Sequence, residues 1–274
     1  MKTAVLSLAL LVATWGVVAC DVRVNDKGGV SLDINEGGRA EDESTQTYPL
    51  AKGGRIELQT DNSNIELVRA TGTGVEVHAR RQVRAKTDEE ARTLLKQQSF
   101  TVETAPDRVT IRAAKAEGLE GFRRRIRIDY RISVPVGSIV SIKNENGGVK
   151  LNDVDARLSV GSTNGMIEGR GVSGGLEVET VNGGVIVQMA AVTSDIRIRT
   201  INGGVIMGLP QGLNATLEAN TVNGGVMVND SLPLQAATRE RQHLSAKLGN
   251  GSGPHIDLQT TNGGVRLGGG EAPR

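Results

Sequence analysis

The sequence predicts an all-β protein, a single-stranded parallel β-solenoid (β-helix) of about 18–21 residues per coil with one short helix near 88–98. Three observations carry this expectation. The phrase apolar-x-apolar-x-Thr-x-Asn-Gly-Gly-Val recurs, most clearly at Leu176 to Val185, Ile196 to Val205 and Ile256 to Val265, with looser copies reaching Asn62, Asn146, Asn164 and Asn223. Successive copies from Asn146 to Asn223 are 18, 18, 20 and 21 residues apart, the spacing of a stacked repeat in which each unit buries its apolar face against its neighbours. Rings are scarce (Trp15, Tyr48, Phe100, Phe122 and Tyr130), which suits a narrow aliphatic stack better than a two-layer core. An antiparallel sandwich competes, because Asn-Gly also marks hairpins; the near-constant period favours the solenoid.

The elements follow in order. Residues 1–19 read as a signal peptide: Lys2 is the basic n-region, and Val5 to Val18 is an apolar stretch shorter than the roughly 20 residues a membrane helix needs. Val17-Val18-Ala19-Cys20 looks like a bacterial lipobox, which implies cleavage before Cys20 and lipid attachment to its thiol. Asp21 resembles the inner-membrane retention signal of enterobacterial lipoproteins, a rule that varies between lineages, so the inner membrane, the outer membrane and the cell surface all stay open. As the lone cysteine, Cys20 excludes a disulfide framework and a Cys-based metal site. Residues 20–50, rich in Gly, Asp, Glu and Ser, read as a flexible tether, and 51–268 as the solenoid domain.

Within that body, Ile56 to Thr60, Ile65 to Leu67 and Val75 to Val77 alternate with period two, as half-buried strands do. Thr87-Asp88-Glu89-Glu90 is a capping box, and Ala91, Leu94 and Leu95 share one helical face, which predicts a helix over 88–98 across one end of the strands. Strands resume at Phe100 to Thr104 and Val109 to Ile111, then 113–123 reads as a loop. A long strand runs from Ile126 to Val134. The gap between Asn223 and Asn262 spans two periods, and the alternation at Leu244, Ala246 and Leu248 predicts a degenerate strand filling the missing coil. Residues 269–274 read as a disordered tail.

Residues two apart share a strand face, so Leu176, Val178, Thr180 and Asn182 are expected to point inward and Glu177 and Glu179 outward. Stacked coils would then place Asn62, Asn146, Asn164, Asn182, Asn202, Asn223 and Asn262 in an internal ladder about 4.8 Å apart.

Together, the lipobox, the tether, the Thr-x-Asn-Gly array, the capped helix after the first repeats and the closing Thr260-x-Asn262-Gly resemble the bacterial putative-adhesin family over roughly 50–267. The resemblance implies an envelope-associated, non-enzymatic β-solenoid. Some relatives look like accessory proteins of envelope-stress systems. The family offers no functional residues to carry over.

The residues themselves point away from catalysis. His78, His243 and His255 lie in unrelated repeats without ligands at metal spacing, and no cofactor is implied. The Gly-Gly-Val turns lack the Asp that calcium-binding solenoids place after their glycines. A polysaccharide lyase or glycosidase is the enzymatic alternative; Asp153 and Asp155 are its nearest carboxylate pair, without rings to stack on sugar. Lys and Arg (32) balance Asp and Glu (31), so bulk charge does not point to nucleic acid. Arg123, Arg124, Arg125 and Arg127, with Arg80, Arg81, Arg84 and Arg131, form either a patch for anionic envelope components or cross-strand pairs with Glu57, Glu66, Glu76 and Glu103. The sequence therefore leads to a lipid-anchored envelope protein, an adhesin or interaction scaffold, with the membrane and an envelope protein or polysaccharide as partners. An envelope-stress accessory is the alternative, and bare terminal rungs would permit end-to-end self-association.

Overall fold

The computed structural model describes residues 21–24, 30–33, 37–97, 100–113 and 126–270. Met1–Gly37 and Gly38–Arg274 form two separate units. In the first, strands β1 (Asp21–Val24) and β2 (Val30–Asp33) pair antiparallel. The signal peptide, Cys20, Arg123, Arg124, Arg125 and the tail from 271 lie outside the described residues.

The second unit opens with β3 (Gly38–Tyr48), β4 (Arg55–Asn62), β5 (Ile65–Arg69), β6 (Val75–Ala85), helix α1 (Asp88–Gln97), β7 (Phe100–Ala105), β8 (Arg108–Ala113) and β9 (Ile126–Val134). The repeats follow as β10 (Ser138–Asn146), β11 (Val149–Asn152), β12 (Asp155–Asn164), β13 (Ile167–Asn182), β14 (Val185–Asn202), β15 (Val205–Leu209), β16 (Ala215–Asn223) and β17 (Val226–Val228). A hairpin, β18 (Leu234–Arg239) and β19 (His243–Leu248), precedes the last repeat, β20 (His255–Asn262) and β21 (Val265–Gly269). The unit is mostly β, and among the described residues β3–β21 join in one mixed sheet of 19 strands.

Pairing divides this sheet into two walls joined at the Asn-Gly corners. The first wall runs β7-β8-β4-β10-β12, then the second halves of β13 and β14, then β20-β16-β19-β18. The second wall runs β3-β6-β9-β5-β11, the first halves of β13 and β14, then β15-β21-β17. Seven first-wall strands, from β4 to β16, are parallel and in register from rung to rung. Their apolar positions fill one continuous core: Ile56, Leu58, Val140, Ile142, Leu158, Val160, Leu176, Val178, Ile196, Ile198, Ile256, Leu258, Leu217 and Ala219 are all buried.

Four expectations need correction. The winding is not parallel throughout: the pairs β7–β8, β3–β6, β6–β9, β16–β19 and β18–β19 are antiparallel, and they close both ends of the parallel run. Nor does chain order equal stacking order. The strand at Leu244 to Leu248 does not fill a missing coil; it pairs antiparallel on the outside of β16, while β20 inserts between β14 and β16. The segment expected as a tether to residue 50 contains β3, which pairs over its full 11 residues with β6. As an edge strand it is exposed on both faces from Glu43 to Thr47, so no period-two alternation marks it in the sequence. The inward asparagines are the fourth, treated with the site below.

Helix α1 starts where the capping box places it. Glu90 donates its backbone N–H to Thr87 Oγ1 at 3.2 Å, while the Glu90 carboxylate accepts from the Lys86 N–H at 3.0 Å, one residue before the cap. Asp88 also accepts from the Arg39 N–H, which ties the helix start to β3. Ala91, Leu94 and Leu95 bury against Ala40, Val83, Ala85 and Ile126, a small second core.

Candidate functional site

A two-residue alternation holds along each first-wall strand up to the Thr of the phrase and then fails, because the chain turns the corner there. Thr60, Asn144, Ser162, Thr180, Thr200, Thr260 and Thr221 form a buried column. Three of these threonines donate to the glycine carbonyl of the neighbouring rung: Thr200 to Gly183 at 3.0 Å, Thr260 to Gly203 at 2.7 Å and Thr221 to Gly263 at 2.7 Å. The next two residues both face outward, so the asparagine expected inside lies on the corner's outer rim. The seven asparagines form one hydrogen-bonded column there, in the order Asn62, Asn146, Asn164, Asn182, Asn202, Asn262, Asn223. Each amide bonds its neighbour at 2.8–3.0 Å, and six of the seven are exposed.

The side chains flanking the buried column bound a groove of about 830 Å³ that crosses all seven rungs. Six inter-strand spacings of about 4.8 Å make it roughly 29 Å long. Its floor is the backbone of the Thr column, whose side chains turn inward. One side carries Gln59, Lys143, Gly161, Glu179, Arg199, Gln259 and Asn220 in stacking order. The other carries Asp61, Glu145, Thr163, Val181, Ile201, Thr261 and Val222. That second side is graded, acidic at the β4 end and aliphatic at the β16 end, where Val181, Ile201 and Val222 are 38 %, 48 % and 60 % exposed. Asn144 Oδ1, Ser162 Oγ and Thr180 Oγ1, on three consecutive rungs of the floor, are buried without a hydrogen-bond partner in the structure. Unpaired polar atoms are uncommon in native interiors and costly.

The other candidates scatter. His78 lies beside Glu43 at 3.5 Å, His243 bonds Asn220, and His255 bonds Thr216. Among the described residues no three His, Cys, Asp or Glu side chains gather as a metal site. Asp155 pairs with Arg69 at 3.7 Å, and Asp153 holds a positive φ of 53° at a turn. Five of the described arginines pair with acids: Arg131 with Glu66 at 3.0 Å, Arg127 with Asp129 at 2.7 Å, Arg112 with Glu103 at 3.0 Å, Arg80 with Glu41 and Arg81 with Asp42. Arg127, the one residue of the expected Arg123–Arg127 patch that is described, is engaged by Asp129. The Glu41 hydrogen bond raises the Arg80 pKa further above its ordinary value.

Tyr130 lies at the base of a smaller depression lined by Glu66, His78, Asp129, Arg131 and Lys150. Its ring meets Phe100 edge-on at 5.8 Å, and its hydroxyl is buried without a partner. Burial pushes the Tyr130 pKa up, with nearby Arg81 opposing weakly. Because the folded-state value exceeds the unfolded one near 10, the unfolded chain ionises first, and stability falls as pH rises through about 10. Tyr130→Phe keeps the ring contact and removes the stranded hydroxyl. It should raise stability by about 1 kcal/mol at neutral pH, with a larger gain above pH 10. Thermal melts of both proteins at pH 8 and 10.5 check this; a less stable variant at both values would contradict it.

Relatives of this arrangement are known. A "putative cell adhesion protein" of Clostridium sporogenes has a similar structure at 9 % identity, with 84 % of this chain and 100 % of that chain covered and a TM-score of 0.50. Weaker matches include a "putative adhesin" of Bacteroides fragilis (8 % identity, 83 % and 97 % covered, TM-score 0.25) and one of Parabacteroides merdae (12 % identity, 82 % and 95 % covered, TM-score 0.21). None of the curated proteins matches the chain. The family whose pattern the chain matches has no known catalytic activity and spans residues 55–268, nearly the whole stack from β4 to β21. The chain belongs to the Toastrack DUF4097 family.

Proposed function

We propose that this chain is a non-enzymatic, lipid-anchored cell-envelope protein whose stacked rungs form a β-solenoid scaffold for an adhesin-type interaction. The groove is the binding surface, and an envelope protein or polysaccharide is its partner. The observation that carries the reading is the groove itself: Val181, Ile201 and Val222 stand exposed in one line at a position where the other coils place polar residues. Isolated exposed aliphatics are ordinary, but a contiguous strip rimmed by polar groups marks an interaction surface. The adhesion label of the Clostridium sporogenes protein agrees with this use, and Val17-Val18-Ala19-Cys20 supplies the anchor.

Photo-crosslinking in the native cell tests both halves. A crosslinker at position 201 should give discrete adducts that a crosslinker at Arg170, exposed on the second wall, does not. Cys20→Ala should release the protein from the membrane fraction. Identical adduct patterns from the two positions would remove the groove from the proposal, and a membrane-bound Cys20→Ala variant would remove the anchor.

A further inference from the structure

Resting on the groove as the interaction surface, we infer that its occupant is an extended polypeptide segment of about nine residues, basic at one end and aliphatic at the other. Length comes first: roughly 29 Å of groove holds about nine residues at 3.3 Å each. Charge fixes the direction. At the β4 end Asp61 and Glu145 face the single cation Lys143, leaving a formal charge of −1. Farther along, Glu179 and Arg199 are cross-strand partners in register and cancel. A lysine or arginine is therefore favoured beside Asp61 and Glu145, and electrostatics at such a rim sets register and partner choice more than raw affinity.

The opposite end calls for aliphatic side chains. Val181, Ile201 and Val222, with the Thr261 methyl between the last two, line about 14 Å, four successive rungs of one side. Side chains on one face of an extended peptide repeat every two residues, so two or three of them fit against this strip.

The middle of the groove is suited to a main chain. Gly161 leaves the side bare next to Ser162; a Cβ there would meet only the Ile142 carbonyl oxygen, at 3.7 Å. A polysaccharide matches less well, because among the described residues no aromatic ring lines the groove to stack on a sugar face.

Panning a displayed library of random nonapeptides on the purified protein tests the inference. Peptides with Lys or Arg toward one end and Val, Ile or Leu toward the other should be enriched. Their Kd should weaken at least tenfold with Gly161→Phe, which fills the groove from an open strand position, and with Ile201→Glu. Arg170→Glu should leave binding unchanged. Circular dichroism melts confirm that the variants fold, and a Cβ at position 161 makes only an ordinary contact with the Ile142 carbonyl oxygen. An unenriched library, or enriched peptides that bind Gly161→Phe as well as the parent, would overturn the inference. So would a bacterial glycan array showing sugar binding that Gly161→Phe abolishes, and this last result would leave the groove in place as the interaction surface.

Discussion

Replacing Gly203 with alanine is expected to cost about 3 kcal/mol or more, while the same change at Gly148, in an equivalent corner, should cost less than about 1 kcal/mol. The difference lies in where a methyl would go. A Cβ on Gly203 would sit 2.1 Å from the Gly183 carbonyl oxygen, and the obstructing atom is backbone held in register on both sides. The same close approach recurs up the corner: Gly147 on Ser63, Gly165 on Gly147, Gly183 on Gly165, Gly263 on Gly203 and Gly224 on Gly263, at 1.9–2.1 Å each. At the next position a Cβ on Gly148 meets the Met166 carbonyl at 3.5 Å, an ordinary contact. The first residue after the repeated Asn is thus glycine because the coils nearly touch there, and the rungs can approach only as closely as that contact permits. Chemical denaturation of the two variants provides the measurement. Equal losses would mean that turn flexibility, not contact between coils, selects glycine.

How far the sequence discloses this molecule depends on whether a feature is local. Alternation placed Leu176, Val178 and Thr180 inside, and the box at Thr87 to Glu90 placed the helix, because both signals sit within a few residues of what they specify. The fate of the asparagines is also local, but it depends on the corner beginning at Val181, where a two-residue period stops applying. Strand order is different. Pairing of Arg55–Asn62 with Ser138–Asn146 leaps over more than 70 residues, and the insertion of His255–Asn262 leaves no trace in a periodicity that counts repeats without ordering them. The groove had a readable signal that parity concealed: Val181, Ile201 and Val222 occupy one position of the phrase, an outward position, in three repeats. Apolar residues recurring where parity predicts water mark a surface with a use.

Deleting residues 254–274 should abolish cooperative folding, although only the last repeat and the short segment after it are lost. The stack would keep β14–β15 below and β16–β17 above, but the rung between them is β20–β21, so the deletion opens a slot inside the sheet and leaves both ends intact. Ile256, Leu258 and Val265 are fully buried and Leu267 nearly so. At about 1.5–3 kcal/mol for each, their loss is on the order of 10 kcal/mol, comparable to the whole stability of an ordinary domain. Two facing strand edges would also be bared, which favours pairing between molecules. The truncated chain should therefore elute as aggregate and lack a sharp melting transition. A synthetic peptide of residues 254–270 added during refolding should restore both the monomer and the transition, since it carries its own pairing surfaces for both neighbours. The insertion also implies an order of events. The flanking rungs cannot reach their native spacing until the last repeat docks, so amides of β16 and β17 should gain protection from hydrogen exchange together with those of β20 and β21. A truncated chain that stays monomeric and melts cooperatively would show that β16–β17 closes directly onto β14–β15, and that the inserted rung is dispensable.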